Sequence, residues 1–151
     1  MMQVIKTYGH ERGLSATFRQ HRCNTHCRFI HGYALAFTLT FECPEDEVDD
    51  NGWVIDFGGL KKVEQFLKDN FDHKYLAAGD DPLLSNLERD EEEGLIQLIV
   101  LPDGVGCEAF TKYVAMQVEE MLACGDFGDT QAQLVSVEVR EHGSNGARYV
   151  L

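Results

Sequence analysis

Large apolar side chains at Tyr33, Leu35, Phe37, Leu39 and Phe41 alternate with the smaller residues Ala34, Ala36, Thr38 and Thr40. A period of two puts the five large groups on one face, the pattern of a half-buried strand. A shorter strand is predicted over 13–18. The acidic, turn-rich tract from Cys43 to Gly52 ends in Asn51-Gly52 and reads as a hairpin loop, with Trp53–Asp56 as the returning strand. Asp56 then caps a helix to about Asn70, whose Leu60, Val63, Phe66 and Leu67 fall at helical spacing. Asp81-Pro82 opens a second, shorter helix, which closes in the run 90–93 and stops at Gly94. That acidic run reads as a solvated face. Leu95–Leu101 is a compact apolar strand. Phe110, Val114, Val118 and Met121 stripe a third helix from about Cys107 to Cys124, ended by Gly125. Leu134–Val139 alternates again and is the last strand. This order predicts an α+β fold, an antiparallel sheet with helices on one face.

Length and charge narrow the function classes. The 151 residues correspond to one domain. A net charge of −13 repels phosphate backbones and anionic bilayers, so neither nucleic acid nor membrane is an expected partner. No apolar run approaches the ~20 residues of a membrane span. The first residues lack the apolar core and cleavage site of a signal peptide, so a cytoplasmic location is expected. Cys23, Cys27, Cys43, Cys107 and Cys124 are odd in number and irregular in spacing, which predicts reduced thiols rather than a disulfide framework.

Three segments carry candidate chemistry. The densest is 21–33, where His21, Cys23, His26, Cys27 and His31 fall within eleven residues. The spacing is irregular for zinc, which favours regular Cys or His pairs. A thiol activated by Arg22, Arg28 and the histidines is the stronger chemical reading. A polar loop with incidental His and Cys stands beside it. The second is Asp72-His73 beyond the first helix, either an acid–base pair or a histidine facing a helix dipole. The third is Glu141-His142 at the end of the last strand. Glu141 either grips an N–H-rich heterocycle or is a solvated edge charge beside Arg140.

Taken together and in order, these segments resemble the 6-pyruvoyl-tetrahydropterin synthase and 6-carboxy-tetrahydropterin synthase family over about Leu14 to Tyr149. The residues that carry the resemblance are Leu14-Ser15-Ala16-Thr17-Phe18, Cys27-Arg28-Phe29-Ile30-His31-Gly32-Tyr33 and Gly52-Trp53-Val54-Ile55-Asp56-Phe57. Phe71-Asp72-His73-Lys74-Tyr75-Leu76 and Val137-Glu138-Val139-Arg140-Glu141-His142 complete it.

The resemblance implies the tunnelling fold, a four-stranded antiparallel sheet with helices on one side. It implies homo-oligomers, trimers whose sheets form a barrel and which stack into hexamers, with active sites between subunits. Cys27, Asp72 and His73 take the family's proton-transfer places, and Glu141 the place of the pterin-gripping carboxylate. Gly106-Cys107-Glu108 stands where a helix start holds the pterin through backbone contacts, with Cys107 in place of a hydroxyl residue.

The family's zinc is held by three histidines. Here His31 occupies one position, while Phe18 and Tyr33 occupy the others. Phenylalanine cannot coordinate, and catalytic zinc needs about three protein ligands. Tyr33 offers a phenolic donor to an oxyanion instead. The expected activity is a pterin-processing lyase resembling 6-carboxy-tetrahydropterin synthase. Its expected substrate is dihydroneopterin triphosphate or a relative, in 7-deazaguanine (queuosine-type) or pterin biosynthesis. The alternatives are a zinc-free pterin-binding or regulatory homologue, and a metal-free enzyme acting on another N-heterocycle.

Overall fold

The computed structural model describes residues 1–151. Its backbone is one seven-stranded sheet built around a long central strand. The strands are β1 (Met2–Tyr8), β2 (Leu14–Phe18), β3 (His31–Cys43), β4 (Lys74–Ala78), β5 (Leu98–Leu101), β6 (Gln133–His142) and β7 (Asn145–Val150). The helices are α1 (Lys61–Phe71), α2 (Leu84–Glu92) and α3 (Cys107–Ala123).

Along one side of β3, β1 pairs with its second half (Tyr8 opposite Phe37) and β2 with its first (Leu14 opposite Leu35). β1 and β2 thus form one interrupted strand, broken by a single 3₁₀ turn at His10–Arg12. β6 lines the other side of β3, and β7 returns along β6. These pairings are all antiparallel and make the expected four-stranded unit. Beyond it, β4 pairs with β2 and β5 with β4, both in parallel; the sequence predicted the β5 strand, over 95–101, but neither β4 nor the parallel pairing.

Alternation along β3 aims Leu35, Phe37, Leu39 and Phe41 at α1 and α3, which supply Val63, Leu67 and Phe71, and Phe110, Val114 and Val118. All ten are fully buried, at about 1.5–3 kcal/mol each by transfer. α2 lies elsewhere. Its Leu87 packs on Tyr75 and Ala77, whereas the intervening Leu76 joins the main core. Successive strand residues face opposite ways, so α2 covers the reverse face of the wing.

Trp53–Asp56 is not a strand. β1 and β6 already occupy both sides of β3 at its Cys43 end, so a returning strand has no edge to pair with. The segment turns instead, with the Asp49 N–H donating to Trp53 O at 3.0 Å and Val54 and Ile55 buried. Asp56 does not cap α1 either. Its Oδ1 accepts from the Gly58 N–H at 2.7 Å, which closes a turn ahead of the helix.

Candidate active site

Four separated segments close on a cavity of about 270 Å³. Phe18 comes from the end of β2, and Gln20, Cys27 and His31 from the connection to β3 and its first residue. Gly106, Cys107 and Glu108 form the start of α3. Glu141, Asn145 and Gly146 come from the β6–β7 hairpin.

The connection from β2 to β3 is held by its own backbone. The Gln20 N–H donates to Cys27 O at 2.9 Å and the Cys23 N–H to Gln20 O at 2.9 Å. A 3₁₀ turn over His26–Arg28 then presents Cys27 to the cavity. Gln20 reaches across, its Nε2 donating to Val105 O at 2.6 Å, and so ties this loop to the start of α3. Gly106 precedes the helix at φ 107°, and a β-carbon there would collide with Gln20 Nε2. Gly32, between His31 and Tyr33, has a similar reason, since a β-carbon would stand 2.5 Å from Ala16 O.

The cavity wall carries carboxylates and thiols. Asn145 Nδ2 donates to Glu141 Oε1 at 3.1 Å, which fixes that carboxylate. Burial, reinforced by Glu141 and Glu108, pushes the Cys107 thiol up to about 11, so it stays protonated at neutral pH. Cys23 behaves oppositely. Its Sγ lies 2.9 Å from Thr25 Oγ1 and accepts from the Thr25 N–H at 3.4 Å, contacts that lower its pKa.

Rings stand where the family would place metal donors. Phe18 is fully buried, with its centroid 5.2 Å from the His31 ring and 5.2 Å from Phe110. Tyr33 lies edge-on to His31 at 5.5 Å and 6.0 Å from His142. No group of three His, Cys, Asp or Glu side chains in the chain is placed to hold a metal ion. With Phe18 lacking any lone pair and His31 Nδ1 2.7 Å from Phe29 O, the residues present do not fit a three-histidine zinc site. His21 lies 3.6 Å from Asp80, facing a different hollow.

Of the sequence-predicted residues, Cys27, His31, Cys107, Glu108 and Glu141 line the cavity together, and Tyr33 adjoins it through His31. Asp72 and His73 do not line it. Asp72 ends α1, where its Oδ1 accepts from the Ser15 N–H at 3.3 Å and lies 2.8 Å from His73 Nδ1. His73 has a φ of 55° and a side chain 81% exposed. Gln20 and Asn145 are site residues that sequence reasoning missed. Both work through single amide contacts that have no periodicity, although the turn signal at Gly143-Ser144 was there to suggest a hairpin behind Glu141.

A sheet whose main core lies under α1 and α3, with a pocket where strand ends meet a helix start, defines a tunnelling-fold protein. The sequence model of the 6-pyruvoyl tetrahydropterin synthase family matches residues 9–150, and the chain belongs to that family of pterin-processing lyases. No curated protein matches the chain in sequence. Among solved structures, an uncharacterized protein of Wolinella succinogenes superposes with a TM-score of 0.79 at 17% identity, covering 99% of this chain and 97% of that one. The 6-pyruvoyl tetrahydropterin synthase of Plasmodium falciparum gives 0.64 at 19% identity, over 97% and 96% of the two chains. That of Caenorhabditis elegans gives 0.60 at 17%, over 99% and 93%. At such identities the superpositions establish the shared fold. No helix is long and apolar enough to cross a membrane.

Proposed function

We propose that the protein is a lyase of the 6-carboxy-/6-pyruvoyl-tetrahydropterin synthase type, acting on dihydroneopterin triphosphate or a related pterin. The observation that carries this reading is the convergence of Cys27 and Glu141 on one cavity. Glu141, steadied by Asn145, accepts hydrogen bonds from the N–H groups of the amino-pyrimidine edge. Backbone groups at Gly106–Glu108 border the ring. Cys27 then takes or returns a proton on the pterin side chain.

Asp72 and His73 complete this set from a second copy of the chain in a homo-oligomer, trimeric or hexameric. The outward exposure of His73 suits such a role. The imidazole Nδ1–H donates to Asp72, which leaves Nε2 to exchange the proton. No step in this reading runs through zinc, because the donor set does not fit it.

A second reading, pterin binding without turnover, is favoured by the rings at Phe18 and Tyr33. Turnover of dihydroneopterin triphosphate, measured beside neopterin binding, separates the two. The lyase reading expects Cys27→Ala to lower turnover by about 10²–10⁴-fold with binding retained. It fails if Cys27→Ala changes neither quantity while Glu141→Ala abolishes binding.

A further inference from the structure

The connection between β2 and β3 holds two thiols, and the proposed chemistry uses one of them. Cys27 lines the cavity, and Cys23, four residues earlier, does not. Both are free and half-buried. Cys107 shares the cavity with Cys27, but burial keeps it protonated at neutral pH. Cys43 lies in the core, and Cys124 closes the far end of α3.

The backbone folds the two cysteines of the connection toward one another. Gln20 O accepts from the Cys23 N–H and the Gln20 N–H donates to Cys27 O, both at 2.9 Å, so one residue tethers both. The intervening Asn24, Thr25 and His26 are exposed, and a bond closed across them displaces no core side chain. Thr25 sets its hydroxyl 2.9 Å and its N–H 3.4 Å from Cys23 Sγ. Those contacts lower the Cys23 pKa against partial desolvation, and hydrogen bonds from the Cys27 side chain and backbone lower it further. The second thiol is thus a direct neighbour of the sulfur that ionises first. A thiolate is the form that peroxides oxidise.

We propose that Cys23 is a redox-modification site, which a hydroperoxide oxidises and which then forms a reversible disulfide with Cys27, taking that thiol out of the cavity's chemistry. The Cys23 thiolate attacks one oxygen of the hydroperoxide and the O–O bond breaks. Cys23 becomes a sulfenic acid, and the other oxygen leaves and takes up a proton, as water or an alcohol. The Cys27 sulfur then attacks the Cys23 sulfur. The S–O bond breaks, and the departing hydroxide takes the Cys27 proton to become water. Two thiols are oxidised to one disulfide, and one hydroperoxide is reduced. A dithiol reverses the bond by exchange. The effect on turnover rests on the lyase reading, whereas the disulfide is a property of the loop alone.

The test treats the full-length protein with stoichiometric hydrogen peroxide at pH 7, blocks the remaining thiols with N-ethylmaleimide and maps tryptic peptides without reduction. Turnover of dihydroneopterin triphosphate is measured on the same samples. Trypsin leaves residues 23–28 as one peptide, so the disulfide reads as the loss of two hydrogens and of both alkylation sites. The proposal expects that change, a loss of turnover in proportion to it, and recovery of both with dithiothreitol. It expects Cys23→Ser to keep its turnover at the same dose. A peptide 23–28 that keeps both alkylation sites overturns the proposal. So does a bond from Cys27 to Cys107, or a disulfide that leaves turnover unchanged. If the wild-type chain has no turnover before peroxide, the lyase reading falls and the effect on turnover with it, while the peptide map still decides whether the disulfide forms.

Discussion

Arg19 and Asp81 form the most deeply placed ion pair of the chain, immediately before the loop that carries Cys27. Arg19 Nε and Nη2 donate to the two oxygens of Asp81 at 2.9 and 2.5 Å, and the Asp81 side chain is 1% exposed. Asp81 Oδ1 also accepts from the Leu83 N–H at 2.8 Å, which braces the turn into α2. Arg19→Met removes one partner and leaves a carboxylate buried without a counter-charge. Such a change costs about 3–5 kcal/mol. At roughly 2–4 °C per kcal/mol for a chain of this size, the lower figure corresponds to a fall in Tm of roughly 6–12 °C. The pH dependence has a definite sign. Hydrogen bonds from Arg19 hold the Asp81 carboxyl below its ordinary 3.8. A depressed folded value means that the stabilisation is complete above that ordinary value and is lost as pH falls through the folded one. In Arg19→Met the buried carboxyl is raised instead, so the penalty against wild type shrinks on acidification. Urea unfolding followed by circular dichroism, at fixed protein concentration, at pH 7 and at acid pH, measures this. The exposed Arg22–Asp80 pair gives the control, since Arg22→Met should cost about 0–1 kcal/mol. Adding Asp81→Asn to Arg19→Met should recover part of the loss, because the two sites share one interaction. The reasoning is refuted if Arg19→Met costs no more than Arg22→Met, or if its penalty does not depend on pH.

Two further outcomes follow from the thiols and the rings. Iodoacetamide at pH 7 should alkylate Cys23 well before Cys107, because Thr25 lowers the first thiol and burial holds the second at about 11. Peptide mass mapping reads the order, and Thr25→Val should slow Cys23, whereas an unchanged rate would mean that the contacts from Thr25 do not set its reactivity. Placing histidine at both Phe18 and Tyr33 should let the chain take up about one zinc by elemental analysis. Without metal the double variant should lose about 3 kcal/mol or more, since Phe18 is fully buried against Phe110. Zinc no higher than in wild type would show that backbone position, and not donor chemistry, separates this site from the family's.

What could be read from the sequence was whatever repeats along it. The period-two run in β3 and the helical stripe of α3 appear within a residue or two of their expected ends, because one face of each meets the core. β4 escaped notice for the opposite reason. All but its first residue are buried, since helices cover the sheet on both sides there, so Tyr75–Ala78 shows no alternation to find. β1 and β7 are edge strands with mostly exposed side chains, and their pattern is correspondingly weak. The false strand at 53–56 came from treating Asn51-Gly52 as a hairpin turn without asking which edge was free. The candidate residues that line the cavity stood out by motif, but not their grouping. Nothing in the chain order says that Glu141 comes to lie by Cys107, while Asp72 stays beside Ser15.

The position of Phe18 explains how the fold accommodates the lost donors. It ends β2 opposite His31, with its ring against Phe110 of α3 on one side and Tyr33 on the other. A residue there belongs both to the core and to the cavity wall. A metal ligand at that point must be polar, so its burial is tolerable only while the metal satisfies it. Phenylalanine removes this condition. Its side chain contributes about 1.5–3 kcal/mol by burial, and the wall stands without an ion. Phe18 therefore serves the fold first, which is why a polar side chain placed there without a metal should lower the melting temperature.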